Sequence, residues 1–139
     1  MLNYLYVAIG SAAGGLARFV LGTWLQRRLD DWAPRTAVAP FLPFPIGTLI
    51  VNVTGSFLLG VILVVVARQG QHANAMRLLL AVGLCGGFTT FSTFSSDTVG
   101  LMENGGSTLA AANVAASVGL GLLAVLAGSF VARAAMGRA

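Results

Sequence analysis

Residues 83–94 read GLCGGFTTFSTF and lie in the middle of a long apolar segment of this 139-residue chain. Three glycines followed by β-branched and hydroxyl-bearing residues form a poor continuous helix, because glycine costs backbone entropy and β-branched side chains lose rotamer freedom. The stretch therefore predicts a helix that is broken near residues 83–91. Unwound backbone at membrane depth must be buried in protein or line a cavity, so this break is also the first candidate site.

The composition on either side of this stretch is that of a membrane protein. Hydrophobic residues make up 57% of the chain and charged residues 9%, whereas a soluble domain usually carries about a quarter charged residues. A proline-rich loop and two short polar turns separate four apolar runs, each long enough to cross a bilayer. We predict an all-α fold in a single membrane domain, 1–139, with transmembrane helices at about residues 4–25, 46–67, 74–100 and 107–132.

The residue inventory argues against an enzyme. All eight basic residues are arginine, and a chain without lysine cannot form a P-loop. The single histidine, His72, lies in a polar turn without a second metal ligand nearby. So few titratable groups do not assemble a nucleophile–base pair. The arginines are scattered, which argues against nucleic acid, while the net charge of +4 suits an anion partner.

Polar side chains recur inside the predicted spans. Thr48, Asn52 and Ser56 follow one another every four residues and so share one face of the second helix. Asn113 and Ser117 have the same spacing on the fourth helix. Such residues either hydrogen-bond between helices or form a ladder of donors for an ion that sheds its water.

Arg18 and two phenylalanines are the other candidates. Arg18 shares a glycine-lined face of the first helix, and it either snorkels to the interface or supplies positive potential at a pore mouth. Phe91 and Phe94 flank Ser92 and Thr93. Their rings either pack as an ordinary core or turn their positive edges towards a small anion.

The arginines do not fix an orientation in the membrane. With four spans, the two termini share one side with the second loop, and that side carries about as many arginines as the other. Orientation normally follows an excess of positive residues on the inner side. Insertion in both orientations, which permits an antiparallel dimer, and insertion in a single orientation therefore both stay open.

At these residues the chain resembles the Fluc (CrcB) family of fluoride channels over nearly its whole length. The resemblance rests on the segment Gly14–Arg18, on residues 47–52, and above all on the Gly-Gly-x-Thr-Thr-Phe-Ser-Thr-Phe core that ends at Phe94. Two positions depart from the family pattern. Asp97 stands where the family often has glutamate, and Asn113 where an aromatic residue or histidine occurs.

The resemblance implies a passive fluoride channel in the bacterial inner membrane, which exports cytoplasmic fluoride to relieve its toxicity. It implies an antiparallel homodimer with two pores and a structural Na⁺ at the dimer centre, held by the backbone carbonyls of Gly86 and Thr89. Arg18 would make the vestibule electropositive. The implied fluoride path, together with the polar ladder of the second helix, comprises Thr48, Asn52, Phe91, Ser92, Thr93, Phe94, Asn113 and Ser117.

Two other hypotheses stay open from the sequence. A small dual-topology, proton-coupled exporter also uses four short helices, but it needs a carboxylate within the membrane, and the first helix offers Arg18 instead. A non-transporting assembly subunit is the third hypothesis. It predicts that substitution of Asn52, Phe91 or Phe94 changes stability without changing flux.

Overall fold

The computed structural model describes residues 1–32 and 44–137, with side chains for residues 1–28 and 44–137. Most of the predicted proline loop, with Arg35, and the terminal Arg138 lie outside this part. Within it, the long helices are α1 (Leu2–Trp32), α2 (Ile46–Val66) and α6 (Ser107–Ala135). The third apolar segment, Gly70–Glu103, is helical but bent. The predicted all-α class is therefore confirmed.

The third segment, Gly70–Glu103, is built from several short pieces. A 3₁₀ turn, Gly70–His72, leads into α3 (Ala73–Met76), a π-helix (Arg77–Cys85) and α4 (Gly86–Phe88). After an extended connection, α5 (Phe91–Glu103) completes it. We refer to Gly70–Phe88 as the lower half of the third segment and to α5 as its upper half. The sequence carried no sign of the π-helix.

The break is shorter than the predicted 83–91 and lies at its C-terminal end. Only Thr89 and Thr90 are extended, with ψ values of 158° and 116°. The glycines that were expected to break the helix are helical instead. A Cβ on Gly83 would lie 2.9 Å from the Cα of Gly10, and one on Gly87 would lie 2.5 Å from the carbonyl oxygen of Ser11. Gly83 and Gly87 thus serve close helix packing, which outweighs their low helix propensity.

The helices pack in pairs through such backbone contacts. Gly10 and Gly14 of α1 lie against the lower half of the third segment, where a side chain would overlap the carbonyl oxygens of Leu79 and Leu84. Between α2 and α6, Gly128 leaves no room for a side chain beside the carbonyl of Phe57. The four membrane-length helical segments are thereby held at distances that only glycine permits.

Helix α1 is longer at both ends than the predicted span. Its C-terminal turns continue through Arg27 and Arg28 to Trp32. Arginine is a good helix former, so charge ends the apolar run without ending the helix. At the other three segments the predicted and observed bounds differ by a few residues, as helix ends usually do. Gly70 and Gly105, in the two predicted turns, have positive φ values of 53° and 76°, which glycine adopts without strain.

Candidate functional site

Asn52 of α2 forms two hydrogen bonds with the backbone at the break in the third segment. Its Oδ1 accepts a hydrogen bond from the backbone N–H of Thr90 at 2.7 Å, and its Nδ2 donates to the carbonyl oxygen of Thr90 at 3.0 Å. This pairing fixes which amide atom is which, because a backbone N–H requires an oxygen partner. The second N–H of the Asn52 amide is used in neither of these bonds.

Thr90 also begins α5. Its Oγ1 accepts a hydrogen bond from the backbone N–H of Thr93 at 3.2 Å and lies 3.0 Å from the hydroxyl of Thr93. Threonine is a favoured N-cap because its hydroxyl satisfies one of the open N–H groups of the first turn. The site therefore depends on Thr90, to which the sequence analysis gave no role. A threonine N-cap ahead of a helix-forming run was the signal that could have found it.

These two bonds leave carbonyl groups free beside the break. In a continuous helix the N–H of Thr90 would bond to the carbonyl of Gly86, and that of Thr93 to the carbonyl of Thr89. Here they bond to Asn52 Oδ1 and Thr90 Oγ1 instead. Gly86 is exposed, and a Cβ on it would meet nothing within 4 Å. The backbone oxygens of Gly86 and Thr89 thus lack the partners that a continuous helix would give them.

The described residues contain no cluster of three His, Cys, Asp or Glu side chains that could hold a metal ion. A transition-metal site of that kind therefore has no support in this part of the chain. A hard cation such as Na⁺ is different, because it is coordinated by oxygen, and unwound backbone carbonyls coordinate Na⁺ in other membrane proteins. The free carbonyls of Gly86 and Thr89 fit that chemistry.

A cavity of about 330 Å³ runs beside the break. The rings of Phe91 and Phe94 form part of its wall, with centroids 5.5 Å apart and planes inclined at 46°. Phe91 is 80% exposed, so its ring is not buried in a core of this chain. The predicted site residues that line this cavity are Asn52, Gly86, Thr89, Phe91, Phe94 and Ser117.

A second cavity, of about 180 Å³, lies on the other side of Thr90, which borders both cavities. Arg18, Thr48 and Thr93 line the second cavity. The hydroxyl of Thr48 is not a free donor of the predicted polar ladder, because it donates to Oδ2 of Asp97 at 2.7 Å. The structure thus divides the predicted residues between two spaces that meet at the break.

Asn113 and Ser92 lie on neither cavity wall. Asn113 is 1% exposed, and its Nδ2 donates to Oγ1 of Thr98 at 2.8 Å. The hydroxyl of Ser117 donates to Asn113 Oδ1 at 3.5 Å. Ser92 is exposed beside the N-cap of α5, 3.3 Å from the hydroxyl of Thr90. Asn113 therefore joins α6 to α5, and its role in an ion path stays a prediction.

Comparison with known proteins identifies the family. Residues 5–129 match the family described as "CrcB-like protein, Camphor Resistance (CrcB)". A protein of Rhizobium leguminosarum bv. trifolii named "Fluoride-specific ion channel FluC" is 42% identical over 96% of this chain and 98% of its own length. A protein of the same name from Agrobacterium fabrum is 41% identical over 96% of this chain and 98% of its own length. Another from Cereibacter sphaeroides is 44% identical over 94% of this chain and 94% of its own length.

Proposed function

Because this chain belongs to the CrcB-like protein family, we propose that it is a passive, fluoride-selective ion channel that releases cytoplasmic fluoride. It is a multi-pass protein of a bacterial membrane, and the described residues form four helices long and apolar enough to cross a bilayer. The relatives that it matches over nearly their full length are named as fluoride-specific ion channels. A channel needs no catalytic residues, in keeping with the sparse set of titratable groups.

The observation that carries the proposal is the cavity beside the break, which is lined by Asn52 and by the rings of Phe91 and Phe94. Fluoride is small and strongly hydrated, so crossing requires donors that replace its water yet bind weakly enough for release. The second N–H of the Asn52 amide and the positive ring edges of Phe91 and Phe94 are donors of that modest strength.

A passive path is sufficient for export. Hydrogen fluoride enters from acidic surroundings and dissociates inside the cell. The inside-negative membrane potential then favours exit of the anion by about 2.3 kcal/mol per 100 mV. Arg18, which lines the second cavity across Thr90, adds positive potential at one end of this path.

A homodimer is part of the proposal. The exposed face at the break carries Phe91, Ser92 and Thr93, together with the free carbonyls of Gly86 and Thr89. Unwound backbone and hydroxyl groups do not face lipid within the hydrocarbon region, so this face needs a protein partner. The near-equal distribution of arginines between the two sides supports an antiparallel pair.

A Na⁺ ion at the dimer centre completes the proposal. The carbonyls of Gly86 and Thr89 from two chains would supply four oxygens, which is the ligand type that Na⁺ takes from unwound membrane helices. The ion would supply fixed positive charge between two pores that each hold an anion. The chain's own contribution is to keep these carbonyls free, which the side chains of Asn52 and Thr90 do.

The experiment is fluoride efflux from liposomes, measured with a fluoride electrode, for the wild type and for Phe91→Ile and Phe94→Ile. Loss of a ring edge at the path should reduce efflux at least about tenfold, which corresponds to about 1.4 kcal/mol. Phe130→Ile is the matched control, because Phe130 is 70% exposed on α6 and does not line the cavity. Absence of fluoride efflux from a folded wild-type protein would overturn the proposal.

The same liposomes test the proton-coupled exporter. That hypothesis needs a carboxylate in the membrane, and Asp97 of α5 is available, although Thr48 already bonds to it. An exporter driven by protons would move its substrate faster when a pH gradient is imposed. Fluoride efflux that follows the membrane potential and ignores the pH gradient would exclude it.

A further inference from the structure

A third cavity lies at the end of the molecule where α2 and α6 both finish. Its volume is about 630 Å³, and it is separate from the two cavities that meet at Thr90. Apolar side chains line it on one side and arginines on the other. The residues that matter for the argument are Leu63, Val64, Ala67, Arg68, Ser129 and Arg133.

The helix packing explains why this cavity exists. One turn deeper in the membrane, Gly60 lies so close to Val125 that a side chain at Gly60 would overlap its carbonyl oxygen, and Ser129 Oγ donates to the carbonyl of Gly60 at 3.2 Å. Larger residues, Leu63 and Val64, follow on α2. They form an apolar wall of the cavity.

Two arginines line the cavity beyond this wall, at the ends of the two helices. Arginines near the ends of membrane helices reach the interface with their long side chains. Arg68 follows the last turn of α2, and its two terminal nitrogens donate to the carbonyls of Met136 and Gly137 at 3.0 and 3.1 Å. This contact offsets the negative end of the α6 dipole and fixes the guanidinium, which keeps further N–H donors. Arg133 is exposed, and no described residue forms a hydrogen bond or ion pair with it.

The amino terminus and the charged side chains that the structure describes at this end of the molecule are all positive. The four spans alternate in direction, so the amino terminus, Arg68, Arg77 and Arg133 share this end. The acidic residues belong to the opposite end: Asp30 and Asp31 close α1, while Asp97 and Glu103 lie in α5. The two ends carry similar numbers of arginines, but all four acidic residues belong to the opposite end. An anion at the third cavity therefore meets no acidic side chain.

We propose that this cavity binds one acidic phospholipid. Its phosphate contacts Arg133 and the remaining donors of Arg68, and an acyl chain lies along Leu63 and Val64. Basic pockets between transmembrane helices are a common place for anionic headgroups, and arginine forms paired hydrogen bonds with phosphate. The proposal goes beyond ion conduction and does not depend on which ion the channel carries.

The test is native mass spectrometry of the purified full-length protein with added phosphatidylglycerol or phosphatidylcholine. Phosphatidylglycerol should bind more tightly, and Arg133→Gln should weaken that binding about fivefold, in line with the contribution of one basic residue near a membrane surface. Arg133→Lys keeps the charge and should retain most of the affinity. Arg27→Gln is the matched control, because Arg27 is an exposed arginine near the opposite end.

Each outcome decides the proposal. A preference for phosphatidylglycerol that Arg133→Gln abolishes and Arg27→Gln preserves would support it. Equal binding of the two lipids, or an equal loss in the two glutamine variants, would overturn it. Competition with inorganic phosphate separates the two sources of a phosphate group. If millimolar phosphate displaces the lipid completely, the site holds a free anion and the lipid proposal fails.

Discussion

The two halves of the third segment are held in opposite ways. The lower half, Gly70–Phe88, packs backbone to backbone against α1, and glycines on both sides make that approach possible. The upper half, α5, is held at a few points by side-chain hydrogen bonds to α2 and α6: Asn52 to Thr90, Thr48 to Asp97, and Asn113 to Thr98. One segment thus combines close packing below the break with polar tethers above it.

This difference matches what each half has to do. Close packing requires only that side chains be absent at the contact, so the lower half serves as a fixed support. Of the tethers above the break, the one from Asn52 ends on Thr90, where the two cavities meet, and it leaves the rings of Phe91 and Phe94 and two backbone carbonyls open. Rigid packing therefore positions the break, and the tethers shape the site.

The largest expected effect is on the packed half. In Gly14→Ala the new methyl group would overlap the carbonyl oxygen of Leu84 and lie 2.8 Å from the backbone nitrogen of Phe88. Because both neighbours are backbone atoms, the helices must separate, which should cost about 3 kcal/mol. SDS-induced unfolding of the purified protein in mixed micelles measures this loss.

Gly15→Ala is the matched control for that change. A Cβ at Gly15 meets nothing within 4 Å, and alanine is the better helix former. It should therefore leave the free energy of unfolding unchanged or raise it slightly. Equal destabilisation by the two alanines would show that α1 and the third segment are not held by close backbone contact.

The next largest effect is expected at the break. Asn52→Ala removes both hydrogen bonds to Thr90 and leaves a backbone N–H and a carbonyl without those partners. The loss should be about 2 kcal/mol, which reflects the cost of unpaired polar groups. The Thr90 amide should also exchange its hydrogen faster, as NMR can measure. Asn74→Ala, at an exposed asparagine ahead of the break, should change neither quantity.

The sequence predicted the four helices and the existence of the break because long apolar runs and clustered glycines are strong local signals. It could not place the break at Thr89 and Thr90, because Gly83 and Gly87 serve contacts with Gly10 and Ser11 from a distant part of the chain. It identified Asn52 as a polar group in the membrane. The hydrogen-bond partner of Asn52 is the backbone of Thr90. This pairing depends on how α2 packs against the third segment, so the local sequence pattern does not predict it.

The smallest expected effect concerns the tether at Thr48. Thr48→Val keeps the shape of the side chain but removes the hydroxyl that donates to Asp97 at 2.7 Å. A hydrogen bond between membrane helices is worth about 1 kcal/mol or less, so unfolding in mixed micelles should shift by about that amount. Thr54→Val, at an exposed threonine of the same helix, should have no effect. If Thr48→Val were as costly as Gly14→Ala, α5 would depend on this one tether, and the contrast between a packed half and a lightly held half would be wrong.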